Sequence, residues 1–253
     1  MAPTPHPTAR TADDETGTAA GTSARPAPVA PSSAPALGSA ALAGLATALA
    51  ALLLVLVVTR WGPLMTLDAA LTDRLHRTAV AEPGWTQANR VLSDWVWDPW
   101  AMRALLAVVV CRLVLRGQRR LGIWVAATAL AGTLLQQAVK VAVGRDRPVW
   151  PDPVDSAHYA AFPSGHAMSV LVAGALVCWL LWLHGVRPLW RWAAGTAVAV
   201  STVGVGVTRV YLGVHWPSDV LGGWLLGCAL ASGAAAAYAA SARRRVTRSG
   251  PAG

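Results

Sequence analysis

Apolar residues run along most of this chain in long stretches broken by short polar turns, and that alternation decides the fold class before any single residue does. A helix crossing a bilayer needs about 20 apolar residues, because hydrocarbon offers no partner to an unpaired backbone group. Five stretches meet that demand: roughly Leu37 to Thr59, Leu121 to Val143, His166 to Leu183, Trp192 to Val207 and Val220 to Ala240. A sixth, about Trp100 to Leu115, is shorter and carries Arg103 and Arg112 near its two ends, from where they could snorkel to opposite interfaces. A re-entrant segment is its other reading. The expectation is an all-α integral membrane bundle of six transmembrane helices.

Residues 1–36 lack any apolar period and are rich in Ala, Pro, Thr and Ser with mixed charges, the signature of a disordered tail. A cleaved leader would set a short positive region directly before a short apolar stretch, whereas this tail is long and the run behind it is of spanning length. The expected organisation is a tail over 1–36, a six-helix membrane domain over 37–242 and a basic cytoplasmic tail over 243–253.

Composition agrees with membrane residence. Of 253 residues, 55% are hydrophobic and 13% charged, where soluble domains carry roughly a quarter charged residues. The net charge of +9 is not gathered on one face as nucleic-acid binding requires, so no nucleic-acid partner is expected. Arg116, Arg119, Arg120, Arg187, Arg191 and Arg243, Arg244, Arg245 and Arg248 fall in polar breaks or the C-terminal tail. By the positive-inside rule these breaks and both termini are cytoplasmic, although Arg60, Arg74, Arg77 and Arg90 count the other way. Trp61, Trp95, Trp97, Trp100, Trp190, Trp192 and Trp216 cluster at the expected interfaces, as an aromatic belt does; core packing is the alternative for any one of them. Gly223 and Gly227 form a small-xxx-small pair suited to close helix packing within the bundle. Cys111, Cys178 and Cys228 each sit in an apolar run, so neither a disulfide framework nor a Cys-type zinc site is implied.

Three segments on one face of this topology, the outer one, hold the polar residues a bundle does not need for folding. In KVAVGRDRP, Lys140 is the only lysine among 21 cationic residues, followed by Arg145, Asp146 and Arg147. A compact point charge, or simple snorkelling, accounts for it. In AFPSGH, Ser164 is placed to cap the following helix, whose N-terminus suits a phosphate. In TRVYLGVHWPSD, Asp219 either complements the dipole of the last helix or accepts a hydrogen bond from His215, which would leave the other ring nitrogen free as a nucleophile. The surrounding cations Lys140, Arg145, Arg147 and Arg209 oppose a divalent metal and favour a doubly charged oxyanion, so no metal and no cofactor are expected.

Taken together, Lys140, Arg147 and Pro148, then Pro163 to His166, then Arg209, His215 and Asp219 resemble the three-part signature of the type 2 phosphatidic acid phosphatases. That superfamily includes lipid phosphate phosphatases, undecaprenyl diphosphate phosphatases and vanadium haloperoxidases. Thr208 stands where the family usually has serine before the third-motif arginine, a hydroxyl for a hydroxyl. The resemblance implies a metal-independent membrane lipid phosphatase working through a phosphohistidine. His215, His166 and Asp219 would be catalytic, and Lys140, Arg147, Ser164, Gly165 and Arg209 would bind phosphate. It implies a lipid phosphate or diphosphate in the bilayer as substrate, with undecaprenyl diphosphate, phosphatidic acid and phosphatidylglycerol phosphate all open. It further implies residence in the plasma membrane with an extracytoplasmic site. The stretch from Glu82 to Trp100, with four tryptophans, would lie along the interface and guide lipid tails. Six spans argue against a haloperoxidase, which is typically soluble, and the paired histidines argue against a mere binder or transporter.

Overall fold

A computed structural model describes residues 34–248, which form eight α-helices and one π-helical turn with no strand among them. They are α1 (Ala34–Val58), α2 (Gly62–Ala81), α3 (Pro83–Val91), the π turn (Leu92–Val96), α4 (Pro99–Leu115), α5 (Arg119–Val143), α6 (Gly165–Leu183), α7 (Pro188–Tyr211) and α8 (Pro217–Arg248). Proline opens α3, α4, α7 and α8, where its missing N–H would have no intrahelical partner in any case. The expected tail over 1–36 lies outside the described residues except for residues 34–36, which already belong to α1; residues 249–253 also lie outside them.

Five helices, α1, α5, α6, α7 and α8, are long and apolar enough to cross a membrane. With 17 residues α4 sits at the lower end of the spanning range. Leu45, Leu52, Leu130, Leu134 and Val203 are exposed on the outside of the bundle, which is where hydrocarbon, not water, is the solvent of a membrane protein. At the centre stands α6, in contact with α4, α5, α7 and α8, while α8 also packs along α1. The largest buried cluster joins Leu106 and Leu113 of α4, Leu121 and Val125 of α5, and Met168, Val172, Ala173, Leu176 and Leu180 of α6.

Close approach of α6 and α8 depends on missing side chains. A Cβ on Gly223 would lie 2.6 Å from the carbonyl oxygen of Ser164, and one on Gly227 3.3 Å from that of Met168. The small-residue pair thus packs within the chain, and it holds the start of α6 against the start of α8, where the Ser164 amide donates to the Asp219 carbonyl at 2.9 Å.

Residues 60–98 differ from the sequence reading, which assigned them no helix apart from an interfacial role for their C-terminal part. Along α2 the buried residues are Asp68, Thr72, His76 and Ala79, one stripe at helical spacing, while Leu67, Leu71 and Val80 are exposed. This helix turns its polar stripe inward, so it resembles neither an apolar span nor a soluble amphipathic helix. Trp85, Trp95 and Trp100 are exposed, but Trp97 is buried; its ring lies against α7, 2.6 Å from where a Cβ on Gly204 would stand. Trp97 is therefore a core residue.

Replacing Gly223 by Ala should push α8 off α6 and cost about 1–3 kcal/mol, read as a lower melting temperature in detergent. Gly195→Ala, where nothing lies within 4 Å of the new Cβ, is the control and should be neutral or mildly stabilising. Equal melting temperatures for the two variants would contradict this packing.

Candidate active site

Three breaks in the helices meet at one end of the bundle: the stretch after α5, the start of α6 and the turn between α7 and α8. Gly144 ends α5 in the left-handed region at φ +58°, a conformation glycine adopts without strain. It turns the chain directly into Arg145–Asp146–Arg147. Gly213, at φ +68°, turns the chain out of α7. A Cβ there would meet the indole nitrogen of Trp150 at 2.4 Å and Nδ1 of His76 at 2.8 Å. Trp150 stacks on His76 with ring centroids 4.0 Å apart and donates to the Gly213 carbonyl at 2.8 Å. That clamp holds the turn two residues before His215.

Asp219, fully buried in the first turn of α8, receives three donors. Its Oδ1 accepts from Arg145 at 2.6 Å, and its Oδ2 accepts from the Trp216 amide at 2.9 Å and stands 3.3 Å from Nδ1 of His215. The carboxylate therefore both caps the helix start and grips the ring, so the two roles open in the sequence coexist. On the far side of the ring, Nε2 of His215 lies 3.1 Å from NH1 of Arg147. A guanidinium can only donate, so Nε2 is the acceptor and carries the bare lone pair, and the ring proton sits on Nδ1 toward Asp219. Burial first, then the charges of Arg147, Arg209 and Lys140, hold the His215 imidazole well below its ordinary pKa. The neutral ring is the favoured form.

Arg147 also donates to the carbonyls of Val214, Tyr159 and His158, which ties the 144–164 loop over the site. Burial and the nearby charge of Arg209 push its pKa down to about 10, so it stays cationic at neutral pH. Lys140, in the last turn of α5, is buried and donates to the Ala160 carbonyl. Arg209, which the sequence placed in an outward segment, lies in the last turn of α7. It is buried, donates to Ser93 at 2.7 Å and stands 3.7 Å from Asp155. Its Nε is buried with no hydrogen-bond partner among the described residues. Ser164 is the N-cap of α6, with its Oγ 3.5 Å from the Ala167 amide. His166 follows in the first turn, with Nε2 3.9 Å from Asp98. Lys140, Arg147, Arg209, His166 and His215 thus stand at one end of the bundle and within electrostatic reach of one another.

Asp68 was not assigned to the site from sequence, and Arg145 was counted only among its surrounding cations. Arg145 bridges Asp219 to Asp68, at 2.7 Å from Asp68 Oδ2, and donates to Ser218 Oγ at 2.6 Å. Asp68 also accepts from the Ser218 amide at 2.9 Å and from its hydroxyl. The signal was there: Asp68 is a lone acid between Leu64 and Leu71, and an unpaired carboxylate in apolar surroundings is costly enough to demand a partner. Ser93, Asp98 and Asp155 likewise join from elements carrying no recognisable motif.

A buried imidazole held between Asp219 and Arg147, with Lys140 and Arg209 within electrostatic reach, thus stands at one end of a helical scaffold. Residues 121–243 match the family model described as the PAP2 superfamily. The chain is 33% identical over 143 residues to an undecaprenyl-diphosphatase of Sulfolobus acidocaldarius, covering 53% of this chain and 59% of that one. It is 35% identical over 128 residues to a putative undecaprenyl-diphosphatase of Escherichia coli, covering 49% and 60% respectively. With phosphatidylglycerophosphatase B of Bacillus subtilis it shares 38% identity over 102 residues, covering 38% and 48%. The chain therefore spans only about half to three fifths of these relatives' lengths. In fold it is similar to the crystal structure of a transmembrane PAP2-type phosphatidylglycerolphosphate phosphatase from Bacillus subtilis. The TM-score is 0.67 at 21% identity, over 75% of this chain and 92% of that one. With five apolar helices of spanning length, the chain is a multi-pass membrane protein.

Replacing Asp68 by Ala leaves the buried Arg145 without one of its two carboxylates, a loss of about 3–5 kcal/mol for a broken buried pair. The variant should melt several degrees lower in detergent. An unchanged melting temperature would contradict the bridge.

Proposed function

We propose that the protein is a metal-independent phosphatase of membrane lipid phosphates or diphosphates, acting through a phosphohistidine. One observation carries the reading: the buried His215 presents a bare Nε2 lone pair to the guanidinium of Arg147 while Asp219 takes the other ring nitrogen. A site that only bound an anion would have no use for a tautomer-fixed nucleophile. The relatives support the substrate class, since their names are those of undecaprenyl-diphosphatases and a phosphatidylglycerophosphatase.

In this mechanism a phosphoryl group enters the cup, its oxygens held by Lys140, Arg147, Arg209, Ser164 and the Gly165 amide at the start of α6. Arg147 exchanges its contact with Nε2 for one with a phosphoryl oxygen. Nε2 of His215 attacks phosphorus, a P–N bond forms, and the P–O bond to the lipid breaks. His166 protonates the departing oxygen, and Asp219 stabilises the positive ring that His215 has become. A water then attacks the phosphohistidine, gives its proton to His166 and releases inorganic phosphate. The surrounding cations offset the developing charge, the part a metal plays elsewhere.

The proposed topology makes α4 the sixth crossing, so that α1, α4, α5, α6, α7 and α8 alternate through a plasma membrane with both ends of the domain inside. The arginines of the α4–α5 and α6–α7 breaks then lie at the cytoplasmic face and the site at the outer one. A substrate with an apolar tail reaches such a site without leaving the bilayer.

Phosphate release from undecaprenyl diphosphate and phosphatidylglycerol phosphate in detergent tests the activity. His215→Ala should lower turnover by about three orders of magnitude or more, and EDTA should leave the wild type unchanged. Near-wild-type turnover of the variant sinks the nucleophile, and rescue of EDTA-treated protein by magnesium sinks the metal-free mechanism. Topology is read in a cysteine-free background: Val149→Cys should react with an impermeant maleimide added outside intact cells, and Arg116→Cys only after lysis. The reverse pattern would place the site on the cytoplasmic face.

A further inference from the structure

We infer that Asp98 is a positioning residue for His166, its carboxylate orienting the imidazole and supporting the protonated form that must meet the leaving group. The inference rests on the proposed phosphatase reading and extends it to an element outside the three motif segments. Asp98 is the N-cap of α4, and its Oδ1 accepts from the Trp100 amide at 2.7 Å. That bond, with Pro99 opening the helix behind it, sets the direction of the carboxylate. The other oxygen, Oδ2, stands 3.9 Å from Nε2 of His166. Both side chains are partly open, 26% and 19% exposed, as groups that must admit a substrate would be. At 3.9 Å the pair is an ion-pair contact short of a hydrogen bond, and catalytic contacts of this kind commonly tighten only when substrate is bound.

The need for an acid here follows from the company His166 keeps. Partly buried at the start of α6, it has Arg209 from α7, His215, Arg147 from the preceding loop and Lys140 from α5 within electrostatic reach, and burial first and then cations disfavour an imidazolium. Yet a general acid has to hold a proton on arrival. Of the acids at this end of the bundle, Asp219 is committed to Arg145, Trp216 and His215. Asp155 faces Arg209. The Asp94 carboxyl is pushed above its ordinary pKa by burial and by Asp155, which weakens it as a counter-charge. Asp98 is the acid that stands in ion-pair range of His166 among the described residues. Two simpler roles compete: Asp98 only caps α4, or it only balances Arg209, which also lies within its electrostatic reach.

Asn caps a helix about as well as Asp, so Asp98→Asn removes the charge and keeps the cap. The full chain in detergent is assayed on phosphatidic acid, whose alkoxide must be protonated to leave, and on p-nitrophenyl phosphate, whose phenolate need not be. Asp98→Asn should keep the wild-type melting temperature and lose about ten- to a hundredfold in turnover on phosphatidic acid, with a much smaller loss on p-nitrophenyl phosphate. The limb on which kcat/KM falls with rising pH should move down by about one unit, and adding the substitution to His166→Ala should cost nothing further. Three results would overturn the inference. Wild-type behaviour of Asp98→Asn, with Asp98→Ala merely melting lower, makes Asp98 a cap. An equal loss on both substrates, persisting in the His166→Ala background, assigns it to Arg209. A wild type inactive on both substrates, and also on undecaprenyl diphosphate and phosphatidylglycerol phosphate, removes the phosphatase reading itself, whereas one inactive only on these two overturns this inference alone.

Discussion

The carboxylate of Asp219 is the group on which this end of the bundle depends. It has no exposed surface, and a buried charge without partners costs several kcal/mol. Arg145 from the stretch after α5, and His215 and the Trp216 amide from the turn before α8, answer that need. Arg145 is balanced in turn by Asp68 from α2. The row Asp68–Arg145–Asp219–His215 is thus one electrostatic unit, and each member makes the next tolerable. Its product is an imidazole with the proton on one nitrogen and a lone pair on the other.

That unit can form only because the helices carrying it approach closely. Without side chains at Gly223 and Gly227, α8 rests on the backbone of α6, and the segment from Ser164 to His166 is delivered beside Asp219. Phe162 fills the space against α1 together with Leu53 and Val57, so the 144–164 loop is anchored in the apolar body and not laid loosely over the site. Apolar packing sets the backbone positions and the polar network then orients the side chains, a division that explains why both kinds of residue crowd one end of the domain.

Charge is deployed in two shells. Lys140, Arg147 and Arg209 stand within electrostatic reach of both histidines, with Arg209 retaining a buried Nε that has no partner among the described residues. Asp155 stands beside Arg209, Asp68 beside Arg145 and Asp98 beside His166, and together they offset part of the positive charge. Cations gathered this closely repel one another, and the acids beside them limit that cost.

The legibility of this protein follows the range of each interaction. Local patterns determined the helices of spanning length, since every backbone group in a bilayer must be satisfied within its own helix and apolar length is the whole signal. They also marked Ser164 as a cap and offered His215 with Asp219 as one of two readings of that acid, because both are interactions between near neighbours in sequence. The helical nature of residues 62–96 was not legible: α2 buries Asp68, Thr72 and His76, and a polar stripe facing inward has no apolar period to read. Nor did Trp97, an interface residue by pattern, reveal its place against Gly204 of α7. Sequence alone thus determined that an apolar bundle would carry a histidine and its cations at one end. Tertiary structure decided which acids answer those cations, because Asp68 and Asp98 meet Arg145 and His166 across tens of residues of chain, and only the packing of helices brings such distant charges within ångströms.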